Sequence, residues 1–92
     1  MKLSDLVDKM DNIDDDLIVF LEDINDYNSD IILEYGEEND RGIKLSDGKD
    51  YYYLLEVFLA KEFINDWKNS LDYIPNKNEI AKRLYEYGIN DA

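Results

Sequence analysis

The chemistry open to this chain is set by its carboxylates, because the sequence contains no histidine and no cysteine. Without these residues, neither a Ser-His-acid triad nor a Cys-His pair can be assembled, and no disulfide or thiolate metal site can form. The glycines stand singly at positions 36, 42, 48 and 88, so no glycine-rich phosphate-binding loop is present. The sequence therefore predicts a protein that is not an enzyme and binds no cofactor.

One group of oxygen ligands comes close to the spacing of a calcium-binding loop. Asp23, Asn25 and Glu34 fall at the first, third and twelfth positions of an EF-hand register. Tyr27 stands at the fifth position, however, and Asn28 replaces the turn glycine. In addition, Glu34 falls in a predicted strand. We therefore predict no calcium site.

A second group resembles the end of a metal-dependent nuclease site. Asp47-Gly48-Lys49 has the acid-x-Lys pattern, with Asp30 as an earlier acid. A net charge of −13 would repel a nucleic-acid substrate. An ordinary type I or II turn is the simpler interpretation, and no metal ligand is predicted.

Glu56 and the tyrosines each leave two interpretations open. On a predicted helix, Glu56 projects between Phe63 and Trp67, either as a partly buried carboxylate held by a tyrosine hydroxyl or, as we favour, as a rim residue that reaches water. The tyrosines form either an exposed anchor surface for a partner or part of the core, and core packing explains most of them. This cluster consists of Tyr51, Tyr52, Tyr53, Tyr85 and Tyr87.

The acidity is concentrated in the first half of the chain. Residues 1–50 carry 16 acids and 5 bases, a net charge of −11, whereas residues 51–92 carry 7 acids and 5 bases, a net charge of −2. Such a field repels nucleic acids and anionic membrane surfaces and attracts basic protein surfaces. Solubility alone is the simpler explanation of an acidic composition.

Length and composition predict one folded domain over residues 1–92. A chain of 92 residues is too short for two independent cores, and 45% hydrophobic residues are enough for one. The N-terminus lacks the pattern of a signal peptide, and no apolar run approaches the roughly 20 residues that span a bilayer. We therefore expect a cytoplasmic protein.

The first half of the chain alternates short elements with polar turns. Ser4 is a candidate N-cap of a first helix, whose apolar positions recur at helical spacing. Strands are predicted at residues 17–21 and 31–35, with a short edge strand at 43–45. The apolar positions of the helix are Leu3, Leu6, Val7 and Met10.

Two helices are predicted in the second half of the chain. One is predicted over residues 51–70 with Asp50 as N-cap, and the other begins at an Asn76–Glu79 capping box and ends at Gly88 as the C′ residue. The predicted fold is α+β, with an N-terminal helix, a small three-stranded antiparallel sheet and two C-terminal helices packed on one sheet face. The three strands are expected to form a meander.

Two segments of the second half carry a resemblance. YYLLEVFLAKE at residues 52–62 and YEYGINDA at residues 85–92 resemble a group of small, uncharacterised acidic bacterial proteins. The resemblance implies a bacterial or phage origin and transfers no functional residue. In general character, the chain is also similar to toxin-immunity proteins and anti-CRISPR inhibitors, which are small, acidic and poor in cysteine.

The charge pattern leads to two hypotheses. In the first, the chain is a non-catalytic inhibitor that masks the basic, nucleic-acid-binding surface of a nuclease toxin or a CRISPR effector, with no direct contact to nucleic acid or membrane. In the second, it is an acidic adaptor or housekeeping module that acts through an apolar patch or as a homodimer. The partner-binding residues of the first hypothesis are Asp14, Asp15, Asp16, Glu22, Asp23, Asp26, Asp30, Glu37, Glu38 and Asp40, expected on loops at one end of the sheet.

Overall fold

A computed structural model describes residues 1–36 and 42–90 as three α-helices and a four-stranded antiparallel sheet. The elements are α1 (Leu3–Lys9), a 3-10 turn (Met10–Asn12), β1 (Leu17–Leu21), β2 (Ile31–Tyr35), β3 (Ile43–Ser46), β4 (Lys49–Glu56), α2 (Val57–Ser70) and α3 (Lys77–Asn90). The α+β class agrees with the prediction, but the prediction of three strands was wrong. The partner residues Glu37, Glu38 and Asp40 lie outside the described residues.

The fourth strand replaces the first half of the helix predicted over residues 51–70. β4 occupies residues 49–56, and α2 begins only at Val57. In β4, Leu54 and Leu55 are buried in the main core, and Tyr51 is buried outside that cluster. Burial in more than one place explains why residues 51–55 are apolar almost all round. Aromatic residues also favour strands. Pairing with β1 therefore prevails over the helical pattern.

A two-residue turn directs the chain into this strand. Asp47 and Gly48 have φ angles of 51° and 77°, and Ser46 pairs with Lys49 on either side of them. Positive φ at both central positions is typical of a type I′ turn, whose twist matches that of paired strands. The turn is therefore a β3–β4 hairpin turn and not the predicted type I or II turn.

The sheet order is β2-β1-β4-β3, with β1 and β4 inside and β2 and β3 at the edges. The predicted meander, in which successive strands are neighbours, is therefore wrong. Between Val19 and Phe20 the register with β4 shifts, so that Leu54 forms a bulge. This irregularity lets Leu54 and Leu55 both contribute to the same core.

All three helices contribute to one core together with Val19 and Leu21 of β1. Leu3 and Leu6 of α1 are fully buried, as their spacing predicts. The helix begins two residues earlier than expected, because Lys2 and not Ser4 is the N-cap. Lys2 is extended because it forms an isolated antiparallel bridge with Asp30.

The start of α3 is as predicted, and its end is not. The Asn76 side chain accepts a hydrogen bond from the Glu79 N–H at 2.8 Å, as an N-cap does. Gly88, predicted to follow the helix, is buried within α3. A Cβ atom there would lie 2.8 Å from Leu54 Cγ, so glycine is needed for close packing on β4. No helix in the described part of the chain is long and apolar enough to cross a membrane.

Candidate functional site

The predicted acidic surface is divided between the two ends of β1. Asp14, Asp15 and Asp16, here called the strand-start cluster, precede β1, whereas the acidic loop, residues 22–30, follows it. The two groups are separated by the five residues of β1, or about 16 Å at roughly 3.3 Å per residue. Contrary to the expectation of one end, the described acids occupy both ends of the sheet.

The strand-start cluster is tied into the fold by its side chains. Asp14 accepts hydrogen bonds from the Asp16 N–H at 2.9 Å and from the Tyr35 hydroxyl at 2.7 Å. Asp15 forms an ion pair of 2.6 Å with Lys61, whose ammonium also donates to the Ile13 carbonyl at 2.7 Å. Two of the three carboxylates therefore join the chain before β1 to β2 and α2.

The Asp14–Tyr35 contact shifts both titrations. The hydrogen bond from the Asp16 N–H, followed by that from Tyr35, lowers the pKa of Asp14 below its ordinary value of 3.8. The same contact raises the pKa of Tyr35. Because the folded-state pKa of Asp14 is lowered, its stabilising contribution is complete above pH 3.8 and is lost as the pH falls through the lowered value.

We expect Tyr35→Phe to raise the pKa of Asp14 towards 3.8, since one of its hydrogen-bond donors is removed. Titration of the Asp14 carboxyl carbon by NMR measures this change. Tyr73→Phe is the matched control, because Tyr73 donates to Glu79 instead. An unchanged Asp14 pKa in Tyr35→Phe would show that the contact does not form in solution.

The acidic loop holds its carboxylates in fixed positions. Asp23 accepts a hydrogen bond from the Asn25 N–H and Asp26 from the Asn28 N–H, both at 2.9 Å. The Ser29 hydroxyl lies within hydrogen-bond distance of the Asp23 and Asp26 carbonyls, at 3.2 and 2.9 Å. Both carboxylates are nevertheless on exposed residues. They are thus ordered by the backbone and remain accessible.

The acidic loop is also fastened to the rest of the domain. The Glu22 N–H donates to the Asp30 carbonyl at 2.8 Å, which closes the base of the loop. The Tyr85 hydroxyl of α3 donates to the Ile24 carbonyl at 2.6 Å, and its ring lies 6.1 Å from that of Tyr27. The loop is therefore a fixed feature of the surface.

Two lysines flank the acidic loop. Lys2 pairs with Asp30 at 3.2 Å, and Lys49 pairs with Glu22 at 3.4 Å. The Lys2 contact lowers the pKa of Asp30, and the Glu22 contact raises the pKa of Lys49. Exposed ion pairs of this kind contribute little stability. Because Asp30 and Glu22 already have lysine partners, Asp23 and Asp26 are the carboxylates of this loop best placed to meet a partner.

The β3–β4 hairpin presents an apolar surface that the sequence interpretation missed. Ile43 and Leu45 of β3 are 48% and 73% exposed, and Tyr52, the cross-strand partner of Ile43, is 36% exposed. These three residues are called the hairpin patch. The Asp47-Gly48 dipeptide is a strong hairpin signal and could have located it.

The tyrosines do not form one surface. Tyr51 is buried, Tyr87 stacks on Phe63 at a centroid distance of 4.5 Å, and Tyr85 anchors the acidic loop. Burial raises the pKa of the half-buried Tyr53, and Glu56 adds to this shift. Glu56 ends β4 and pairs with Ile18, so the helical position predicted for it was wrong.

The carboxylate groupings considered for metals are not assembled into sites. Glu34 lies within β2 opposite Ile18, while Asp23 lies in the acidic loop beyond the other end of the strand. Across residues 1–36 and 42–90, no group of three or more acids could hold a metal ion.

No protein-family model, curated protein or solved structure matches this chain.

Proposed function

We propose that this protein is a non-catalytic inhibitor that binds a basic partner protein and masks its nucleic-acid-binding surface. The observation that carries the proposal is the acidic loop, in which nine residues contain four acids and no base. Backbone hydrogen bonds hold the exposed Asp23 and Asp26 in place. A fixed array of carboxylates is complementary to a surface that binds phosphates.

The rigidity of the acidic loop supports a binding role. A loop that is ordered before binding loses little conformational entropy when a partner arrives. The loop is closed at its base and anchored through Tyr85. Favourable contacts with a partner's lysines and arginines would therefore not be offset by the cost of ordering the loop.

The charge of the whole chain adds long-range attraction. A net charge of −13 repels nucleic acid and accelerates encounter with cationic proteins. A nuclease toxin bound by its immunity protein and a CRISPR effector bound by a nucleic-acid mimic both fit this description. In either case the protein remains cytoplasmic and competes with the nucleic acid.

The hairpin patch favours a second candidate function, an acidic adaptor or homodimer that associates through an apolar surface. Ile43 and Leu45 are exposed on an edge strand. In that case, the partner would retain nucleic-acid binding in the complex. Nucleic-acid competition therefore separates the two candidates.

Removing two charges from the acidic loop is expected to slow partner association roughly tenfold, since clustered charges act mainly on the association rate. The variant is Asp23→Asn with Asp26→Asn, which retains the oxygen that accepts each backbone N–H. The matched control, Asp66→Asn with Asp72→Asn, changes two exposed acids outside both acidic groups. Equal loss in both variants would show that net charge alone matters.

The partner for this measurement is isolated with the wild-type chain as bait and then purified. Association rates are compared between about 0.01 M and 0.15 M salt, where the Debye length falls from about 30 Å to about 8 Å. We expect a steep decrease in rate and release of nucleic acid from the partner in a mobility-shift assay. Salt-independent association, or a ternary complex with nucleic acid, would contradict the inhibitor function.

A further inference from the structure

The β3–β4 hairpin extends beyond the end of β1. Leu21, the last residue of β1, pairs with Tyr52 of β4. The preceding residues of β4 pair only with β3, so that Lys44 faces Tyr51 and Ser46 faces Lys49. The hairpin tip therefore projects beside the acidic loop, to which Lys49 is joined through Glu22.

The outer edge of β3 has backbone groups directed away from β4. Tyr53 donates from its N–H to the Gly42 carbonyl at 2.7 Å, and antiparallel hydrogen-bonded pairs recur at every second residue. The N–H and C=O groups of Ile43 and Leu45 consequently point outward. Among the described residues, β3 pairs with β4 and with no other strand. These same two residues have exposed side chains.

We infer that β3 is a docking edge to which a partner adds an extended, cationic segment as a fifth strand. The inference rests on the proposed function and specifies how the partner binds. Backbone groups of Ile43 and Leu45 would pair with the added strand, and the hairpin patch would contact its apolar side chains. Asp47 in the turn and Asp50, the cross-strand partner of Leu45, are exposed and favour lysine or arginine on the segment.

Charge disfavours a second copy of the chain as the occupant of this edge. Two copies would each bring a net charge of −13. In a two-fold antiparallel pairing that uses the outward groups of Ile43 and Leu45, Lys44 would also stand opposite Lys44 of the second copy. Like charges directly opposite each other destabilise a strand pair. A cationic partner avoids the first repulsion, and a segment with an uncharged residue opposite Lys44 avoids the second.

The test uses as its probe a fluorescent ten-residue peptide in which alternating valine and threonine form the centre and two lysines stand at each end. A peptide of the same composition with D-residues at every second position has the same charge but cannot form a regular strand. We expect the first peptide to bind roughly tenfold more tightly and to slow amide exchange at Ile43 and Leu45. Binding of neither peptide, or equal binding of both, would overturn the inference.

Two variants separate the backbone from the side chain. Leu45→Pro removes an outward N–H and no bond to β4, and proline is tolerated on edge strands. Leu45→Thr keeps the N–H and removes apolar surface. We expect proline to abolish protection of Ile43 and weaken binding roughly tenfold, and threonine to weaken it less. Amide spectra and melting curves verify that both variants fold.

The remaining outcomes distinguish this inference from the proposed function. If Leu45→Pro binds the probe as the wild type does, strand addition is wrong, whereas the acidic-loop variants still test the inhibitor function independently. If sedimentation shows a dimer that Leu45→Pro converts to a monomer, the occupant is a second copy and the inference is overturned. Wild-type monomers with protected Ile43 and Leu45 amides in the peptide complex would support it.

Discussion

Phe20→Ala is expected to lower the free energy of unfolding by about 3 to 5 kcal/mol, the usual cost of truncating a fully buried aromatic residue. Phe20 is 1% exposed and packs edge-on against Tyr53 at a centroid distance of 6.3 Å. It lies between Ile32 and Tyr53 across the neighbouring strands. The substitution therefore weakens the packing of β1 against both of its neighbours, β2 and β4.

The magnitude is large for a chain of this size. A small domain is typically stable by about 5 to 15 kcal/mol. For a wild-type stability in the lower half of this range, Phe20→Ala removes about 30% or more of the free energy of unfolding. Urea unfolding followed by circular dichroism measures the loss. A change below about 1 kcal/mol would show that the Phe20 side chain is not buried in solution.

Trp67→Ala is the control, and it corrects an expectation from the sequence. In the helix predicted over residues 51–70, apolar residues recur at helical spacing at Phe63, Ile64, Trp67 and Leu71. This stripe predicts Trp67 as a core residue, with a cost of truncation of about 3 to 5 kcal/mol. Trp67 is only partly buried, stacks on Phe63 and lies under the Arg83 guanidinium, 5.7 Å from its ring. We expect its truncation to cost less than that of Phe20.

Gly88→Val is expected to destabilise the fold by about 2 to 3 kcal/mol, although glycine is a poor helix former. A Cβ at this position would lie 2.8 Å from both Cγ and Cδ1 of Leu54 and 3.2 Å from its carbonyl oxygen. The side chain could change rotamer, but the β4 backbone cannot move without disturbing the sheet. α3 would therefore be forced away from β4.

A double-mutant cycle isolates this contact. Leu54→Ala alone should cost about 2 to 5 kcal/mol because Leu54 is buried, but it also makes room for the valine. We expect the double variant to lose clearly less stability than the sum of the single variants. Lys82→Val introduces the same side chain at an exposed position of α3 and should change stability by about 0.5 kcal/mol. Simple additivity would exclude the steric explanation.

Several elements could be predicted because local chemistry determines them. The apolar run of residues 17–21 and the β-branched run at the start of 31–35 coincide with β1 and β2. The Asn76 side chain caps α3 through a bond that spans three residues. In each case the residues that decide the structure lie within one turn or one strand of one another.

The fate of residues 51–56 could not be decided by the same reasoning. An apolar segment after an acid fits the start of a helix and a strand buried on both faces equally well. Pairing with β1, more than 30 residues earlier in the chain, makes it a strand. Two local features point to this outcome, the Asp47-Gly48 turn and the strand preference of the three tyrosines at residues 51–53.

The sequence by itself determined the charge, the absence of histidine and cysteine chemistry, the α+β class and the elements whose contacts are local. Only the tertiary structure decided that Asp14 and Asp15 join the start of β1 to β2 and α2, and that Ile43 and Leu45 stay exposed on an edge. These properties depend on which strands become neighbours. Strand order is set by burial and pairing between distant segments, which a charge or hydropathy pattern does not encode locally.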